Sequence, residues 1–219
     1  MEHLQTQGIS LPRLGLGTFR LQGDACRAAV ESALGLGYRH IDTAEMYGNE
    51  EAIGAAISAA RVVRKDLHVT TKVWNENLAP DAIRRAFDAS LKKLRLDHVD
   101  LYLVHWPAKN MNLPAMFETL LKLKEEGRTR AIGVANFNIA LLKTVVEEIG
   151  APIACNQIEY HVMLDQDGVA AIPKASRAES QQANLDALKL RLDDDDRKAI
   201  AALPKDKRCV NPAFGPAWD

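Results

Sequence analysis

Short apolar stretches alternate with helix-like stretches through most of this chain, and each apolar stretch ends in a polar or charged side chain. These ends are Asp42, Lys72, His105, Asn136 and Gln157, at intervals of 30, 33, 31 and 21 residues. The spacing is typical of repeated strand–helix units, which build a parallel sheet whose strands all end at one face. The pattern therefore predicts an α/β fold, and its regularity favours a closed (β/α)8 TIM-type barrel.

The individual elements follow from apolar periodicity and from capping residues. Strands are predicted at about 38–42, 67–72, 99–104, 130–134, 153–158 and from 169. Helices are predicted at 24–36, 50–60, 80–94, 115–127, 139–149, 179–188 and 193–203. Asp24 is the predicted cap of the first helix and Asp193 that of the last. Two short apolar runs around Pro12 and Arg13 predict an N-terminal β-hairpin over residues 9–19.

Length and charge limit the class of protein. The 219 residues suit one domain spanning 1–219, and the formal net charge of -1 offers no field for nucleic acid or for a membrane surface. The cysteines, Cys26, Cys155 and Cys209, are too far apart to indicate a disulfide framework or a metal knuckle. Neither a signal peptide nor a run of the ~20 apolar residues of a spanning helix is found. We expect a soluble, cytoplasmic monomer without a metal.

Two other α/β classes are disfavoured. Gly15 and Gly17 precede the first predicted strand and lack the third glycine of a Rossmann fingerprint. A barrel metal hydrolase is disfavoured because neither a His-x-His pair nor a carboxylate cluster follows the strands.

The first three strand ends, together with Tyr47, make a coherent set for acid catalysis. Taken singly, Asp42 reads as a helix cap, Tyr47 and His105 as structural side chains, and Lys72 as a solvated lysine. Together, Asp42 can hold Lys72 charged, and the ammonium can lower the pKa of Tyr47, whose ordinary value is ~10. Tyr47 could then donate a proton to a forming alkoxide, while a neutral His105 orients the same oxygen. No side chain supplies a hydride, so a nicotinamide cofactor is implied.

These residues resemble the aldo-keto reductase family, and most closely the bacterial 2,5-diketo-D-gluconate reductases. The resemblance runs from Leu14 to Asp219 apart from the break after Gln166, and it rests on three motifs: Gly37–Ala44 with Tyr47, Thr71–Lys72 with Trp74, and Val104–Pro107. It implies that Asp42, Tyr47, Lys72 and His105 form a catalytic tetrad with Tyr47 as the acid. It also implies that Asn136 and Gln157 hold the nicotinamide carboxamide. Phe19, Trp74 and Trp106 become candidate walls of a substrate pocket, although ordinary core packing is as good an interpretation of Phe19.

The part of the chain that resembles the family's phosphate and adenine region departs from the usual pattern. Lys174, Ser176, Arg177 and Asn184 remain candidate cofactor ligands. Four residues differ from those usual in the family, namely Ala135, Ala175, Ser180 and Ala183. The two cations still favour NADPH over NADH.

The resemblance implies NADPH-dependent reduction of small-molecule aldehydes and ketones, such as small dicarbonyls and keto-sugar acids. The alternative is a barrel that binds NADPH with little or no turnover and has a regulatory or interaction role.

A break in the regular strand–helix spacing bears on the choice between these two functions. Predicted strands start near 153 and near 169, a step of about 16 residues, whereas a closed barrel needs roughly 60–90 for the step from strand five to strand eight.

We therefore expect a shortfall of about 45–75 residues after Gln166, corresponding to strands six and seven with their helices. We expect the natural protein to hold these units, in which case Gln166 and Asp167 are not joined by a peptide bond with a Cα separation of ~3.8 Å. A normal bond would instead indicate a genuine deletion and favour the alternative without turnover.

Overall fold

The protein's structure, a computed structural model, describes residues 2–163 and 169–218. It begins with an antiparallel hairpin of β1 (His3–Thr6) and β2 (Ile9–Pro12). Gln7 and Gly8 form the turn, with φ of 44° and 81°, the left-handed values that a two-residue hairpin turn needs. The predicted N-terminal hairpin is confirmed, but its bounds of 9–19 are wrong, because β2 pairs back onto β1 while Leu16–Gly17 (β3) belongs to a different sheet.

The main sheet is parallel and contains the strands in chain order, β3 to β8. After β3 its members are β4 (His40–Asp42), β5 (His68–Val73), β6 (Val99–Val104), β7 (Thr129–Ala135) and β8 (Ile153–Gln157). Each lies within two residues of its predicted position. The alternation of these strands with helices confirms the TIM-type α/β fold.

The helices pack outside this sheet. They are α1 (Gly23–Gly35), α2 (Glu50–Ala59), α3 (Pro80–Leu94), α4 (Leu113–Glu125), α5 (Ile139–Lys143, continued by a π-helical turn over Thr144–Glu148), α6 (Ala178–Asp186) and α7 (Asp194–Ala201). The predicted cap of α7 is confirmed, because the Asp193 carboxylate accepts the N–H groups of Asp195 and Asp196. The predicted cap of α1 is wrong: Gln22 is its N-cap, and Asp24 lies in the first turn. Among the described helices, none combines the length and apolar character needed to cross a membrane.

The far edge of β3 meets the segment that follows the break. Gly17 N–H donates to Pro173 O at 3.1 Å, and Gly15 N–H donates to Ala171 O at 2.9 Å. The approach is so close that a Cβ on Gly17 would lie 2.6 Å from Ile172 O. The segment 171–174 therefore closes the barrel on this side, through parallel bridges from Leu14 to Ala171 and from Gly17 to Lys174.

This pairing corrects the strand count. With β3 as the first barrel strand, β8 is the sixth and not the fifth. In an eight-stranded barrel the segment 171–174, which pairs with β3, takes the place of strand eight. Only strand seven and its connections then lie between β8 and this segment, whereas the sequence predicted that two strands would lie there. The Gln166–Asp167 junction lies outside the described residues.

Burial changes across the sheet in agreement with this gap. Every residue of β4, β5 and β6 is buried, whereas every residue of β8 is half-buried. A cavity of about 870 Å³ lies between β8 and the segment 169–173, with Leu101 and Cys155 in its lining. The barrel is thus well packed at the strands that carry Asp42, Lys72 and His105, and open beside β8.

Helix packing depends on close backbone contact at Gly54 of α2. A Cβ built there would press on Lys93 O and lie 2.7 Å from Leu94 C, both in the last turn of α3. We expect Gly54→Ala to lower the free energy of unfolding by about 1–3 kcal/mol, because backbone atoms must move to admit the methyl group. Urea denaturation would measure the loss. Gly35→Ala in α1 is the control, since no atom lies within 4 Å of its added Cβ, and stability should be unchanged or raised by up to ~1 kcal/mol. A Gly54→Ala protein as stable as the Gly35→Ala protein would contradict the tight contact.

Candidate active site

Four polar side chains converge where three neighbouring strands end. Asp42 ends β4, Lys72 lies near the end of β5, and His105 directly follows β6. Tyr47 comes from a single 3-10 turn, Glu45–Tyr47, that follows β4. Parallel pairing of β4, β5 and β6 places these positions at the same face of the barrel.

An ion pair between Lys72 and Asp42 forms the buried base of the site. The Lys72 ammonium lies 2.6 Å from Asp42 Oδ1 and also donates to Thr43 O at 2.7 Å. The two side chains are 0% and 2% exposed. Burial alone would lower the pKa of Lys72, but the Asp42 carboxylate and Tyr47 more than offset this, so its pKa is raised. Lys72 is therefore a fixed cation at neutral pH.

Tyr47 lies above this pair. Its ring centroid is 5.2 Å from Lys72 Nζ and 5.4 Å from the His105 ring. Burial raises the pKa of Tyr47 and outweighs the opposing effect of Lys72. Lys72 does lower the pKa of Tyr47, as predicted, but the prediction that this brings the pKa below its ordinary value is wrong. The hydroxyl keeps its proton at neutral pH and remains available as a donor.

His105 is neutral in this setting. Burial lowers its pKa to about 3, with a further contribution from the Lys72 cation. Its Nδ1 atom is buried and has no hydrogen-bond partner among the described residues. The ring also packs edge-on against Trp74 at 5.3 Å. A neutral imidazole of this kind can donate one ring N–H to a ligand oxygen.

The loop that carries Tyr47 is fixed by two side chains that the sequence reasoning missed. The Glu45 carboxylate accepts from Trp74 N at 2.9 Å and from Asn77 Nδ2 at 2.6 Å. Asn49 Nδ2 donates to Thr18 O at 2.9 Å and to Leu21 O at 3.0 Å. Glu45 and Asn49 each lie two residues from Tyr47, and this placement of polar residues on both sides could have indicated their role.

Asn136 and Gln157 lie next to this group. Asn136 Nδ2 donates to His105 O at 2.9 Å, and its backbone holds a left-handed φ of 61°. Gln157 Nε2 donates to Asp42 Oδ2 at 2.9 Å. The structure therefore brings both amides to the buried pair and to His105.

Aromatic side chains enclose the space above Tyr47. Phe19 is 43% exposed and its ring lies 5.0 Å from that of Tyr47, while Trp106 is buried. The C-terminal segment adds two rings that the sequence reasoning had not assigned to the site. The ring centroid of Phe214 lies 5.8 Å from that of Trp74 and 5.4 Å from that of Trp106. The ring centroids of Trp218 and Trp106 are 6.1 Å apart. The aromatic composition of the tail had indicated packing, but not its place.

The other four predicted cofactor residues lie around the start of α6. Lys174, Ser176 and Arg177 are exposed, and their side chains make no hydrogen bond or ion pair with any described residue. Arg177 is the N-cap of α6. Asn184 is half-buried on the same helix, and its side chain opposes the rise in the pKa of Tyr38 that burial causes. Two cations and a helix N-terminus make this end of the site suited to an anionic group.

Comparison with known proteins places this chain in a family. The model of the aldo/keto reductase family matches residues 13–171, which include Asp42, Tyr47, Lys72 and His105. The chain belongs to the aldo/keto reductase family, a family of oxidoreductases.

Individual relatives point to a bacterial branch of this family. The methylglyoxal reductase DkgB of Escherichia coli O157:H7 is 36% identical over 267 residues, covering 96% of this chain and 100% of the relative. The alignment has 267 positions and this chain has 219 residues, so at least 48 positions of the relative have no counterpart here. This number lies within the shortfall of about 45–75 residues expected from the βα spacing.

Solved structures show the same relationship. A crystal structure assigned to a 2,5-diketo-D-gluconic acid reductase B has a TM-score of 0.94 at 31% identity, over 100% of this chain and 98% of that chain. An aldo/keto reductase of Brucella melitensis has a TM-score of 0.84 at 33% identity, over 91% of this chain and 97% of that chain. The likeness supports the TIM-type fold and the expected resemblance to diketogluconate reductases.

Removing the charge of Asp42 should destabilise the fold strongly. In Asp42→Asn the Lys72 ammonium stays buried without a counter-ion, and unpaired charges of this kind cost about 3–5 kcal/mol. Urea denaturation at pH 7 would measure the loss. Glu118→Gln is the matched control, since Glu118 and Lys122 also lie 2.6 Å apart but on the solvent-exposed face of α4, where loss of the pair should leave stability unchanged. Equal effects in the two variants would contradict the importance of the buried pair.

Proposed function

We propose that the chain reduces aldehydes and ketones to alcohols with NADPH as the hydride donor and Tyr47 as the general acid. The observation that carries this proposal is the convergence of Tyr47 and neutral His105 on a buried Lys72–Asp42 pair. A carbonyl oxygen bound between Tyr47 and His105 meets two neutral donors and a nearby cation. Such a site stabilises the negative charge that develops on this oxygen as the carbonyl is reduced.

Each residue has a distinct role in this proposal. The Tyr47 hydroxyl transfers its proton to the carbonyl oxygen, and Lys72 stabilises the phenolate that remains. Asp42 keeps Lys72 charged and oriented. His105, held neutral by burial, donates a hydrogen bond that orients the substrate. Phe19, Trp74 and Trp106, with Phe214 and Trp218, exclude water from the reacting atoms.

The chain's own residues fit a dinucleotide. The cofactor, when bound, supplies the hydride that no side chain provides. Asn136 and Gln157 lie beside His105 and Asp42, where amides could hold a carboxamide. Lys174, Ser176 and Arg177 offer uncommitted donors at the start of α6, and Asn184 lies on the same helix. The two cations support a preference for the extra phosphate of NADPH.

Small dicarbonyls and keto-sugar acids are the proposed substrates. The names of the related reductases support this choice, since they refer to methylglyoxal and to 2,5-diketo-D-gluconic acid.

The second candidate is a barrel that binds NADPH without turnover. It is favoured by the half-buried state of β8, the strand that carries Gln157. A loosely held Gln157 would position a nicotinamide poorly. The two candidates differ in whether NADPH is consumed, since binding alone leaves its absorbance unchanged in the presence of methylglyoxal. A metal chelator in the same assay should not abolish NADPH consumption, because the proposed chemistry uses no metal.

Tyr47→Phe should bind NADPH as the parent does and lose most carbonyl reduction. General acid catalysis is typically worth ~10²–10⁴-fold, so kcat with methylglyoxal should fall by at least two orders of magnitude. Absorbance decay of NADPH measures turnover, and quenching of tryptophan fluorescence measures binding. Tyr160→Phe is the matched control, because Tyr160 is 53% exposed and takes no part in the proposed chemistry. A Tyr47→Phe enzyme retaining more than about a tenth of the parent kcat would remove Tyr47 from the proposal.

Arg177→Ala should weaken NADPH binding and barely affect NADH. The guanidinium can pair with a phosphate in bidentate fashion, and NADH lacks that phosphate. Dissociation constants for both cofactors test this. Arg85→Ala on α3 controls for the loss of one exposed arginine, and both constants should be unchanged there. Equal losses of NADPH and NADH affinity in Arg177→Ala would refute a role in phosphate recognition.

A further inference from the structure

A cluster of three different ligating side chains lies outside the candidate active site. Glu159 and His161 follow β8, and Cys209 belongs to the C-terminal segment. One ligand atom from each, a carboxylate oxygen, an imidazole nitrogen and a thiol sulfur, all lie within 4.8 Å of one another. Among residues 2–163 and 169–218, it is the one group of three or more His, Cys, Asp or Glu side chains with this geometry.

Glu159 is held in place before any ligand arrives. Its Oε1 atom accepts from Cys209 N at 2.8 Å, and its Oε2 atom accepts from Val210 N at 2.9 Å. Burial raises the pKa of this carboxyl, but the hydrogen bonds from Val210 and Cys209 outweigh it, so the pKa is lowered. The carboxylate is 8% exposed, and the two backbone N–H groups fix its orientation. Backbone donors of this kind orient carboxylate ligands in metal sites.

The other two side chains are reachable from solvent. The His161 side chain is 27% exposed, and its Nε2 lies 2.9 Å from Glu159 Oε1. Cys209 is a free, exposed thiol. The Met163 N–H donates to His161 Nδ1 at 3.3 Å, and this long hydrogen bond must break for Nδ1 to take the imidazole proton when Nε2 binds a cation.

The donor types select the cation. Thiolate, imidazole and carboxylate together suit a borderline-soft divalent ion such as Zn²⁺. They do not suit Mg²⁺ or Ca²⁺, which prefer oxygen ligands only. Zinc bond lengths of about 2.0–2.3 Å in a tetrahedron place ligand atoms roughly 3.3–3.8 Å apart. The His161–Glu159 contact of 2.9 Å must therefore open slightly, and the three ligand atoms, which all lie within 4.8 Å of one another, need little further movement.

We propose that Glu159, His161 and Cys209 bind a zinc-class divalent cation, with water in the fourth position. One carboxylate and one thiolate neutralise the ion, and the thiol and imidazole protons are displaced from the ligand atoms on binding. Arg208 lies 3.9 Å from Glu159 Oε2 and 3.8 Å from the ring centroid of Trp218, so the ion adds to a site that already contains a cation. Loss of either the thiolate or the carboxylate should therefore weaken binding markedly.

The bound ion would join two parts of the chain. It links the segment after β8 to the C-terminal segment that carries Phe214 and Trp218, and these rings contact Trp74 and Trp106. Binding should thus stabilise the C-terminal segment against local opening. This inference does not rest on the proposed reductase activity, because binding and stability report on it without NADPH.

Cobalt and zinc titrations of the reduced, metal-free protein test the proposal. We expect one Co²⁺ per chain, with the thiolate-to-cobalt charge-transfer band that sulfur ligation produces, and displacement of that band by Zn²⁺. Calorimetry with Zn²⁺ should give one site whose affinity falls as the pH is lowered. The melting temperature should rise with Zn²⁺ and not with Mg²⁺.

Matched variants make the test specific. Cys209→Ser and His161→Gln should each weaken Zn²⁺ binding at least about tenfold, since even outer-shell partners of metal ligands are worth that much, and Cys209→Ser should remove the charge-transfer band. Cys155→Ala and His98→Gln, which remove the same side-chain types elsewhere, should bind as the parent does. No binding by the parent at about 100 μM Zn²⁺, or unaltered binding by Cys209→Ser, would overturn the proposal.

Discussion

The candidate active site depends on a charged pair, Lys72 and Asp42, placed where water does not reach. Either charge alone would be costly there, so each makes the other tolerable. Parallel pairing of β4 with β5 and of β5 with β6 sets the registers, and a 3-10 turn then delivers Tyr47 to the pair. Burial also determines the electrostatics, because it keeps His105 neutral and Tyr47 protonated while Lys72 remains charged.

The sequence contained most of the scaffold and the main members of the site. Asp42, Lys72 and His105 could be found because each ends or follows a strand of a regular βα series, and strand ends share one face whatever the details of packing. Arg177 and Lys174 followed from the resemblance to a family. The direction in which the pKa of Tyr47 moves could not be predicted, because it depends on how deeply the ring is buried, and burial outweighs the lowering effect of Lys72.

Two other features were beyond local reasoning. Pro12 and Arg13 resemble a hairpin turn, yet the true turn is Gln7–Gly8, and Leu16–Gly17 is a barrel strand whose pairing partner lies more than 150 residues away at 171–174. The placement of Phe214 and Trp218 against Trp106 likewise joins distant segments without any periodic signal. The miscounted strand in turn caused the prediction of two missing strands where the pairing leaves room for one.

We propose that this site directs a hydride from the cofactor to a carbonyl carbon rather than only holding the cofactor. The most direct test is incubation of the protein with methylglyoxal and NADPH deuterated at the reactive carbon of the nicotinamide, with a chelator present, followed by mass spectrometry of the alcohol. We expect one deuterium on the former carbonyl carbon of the product. NADPH binding with no deuterated alcohol formed would contradict it and would favour the barrel without turnover.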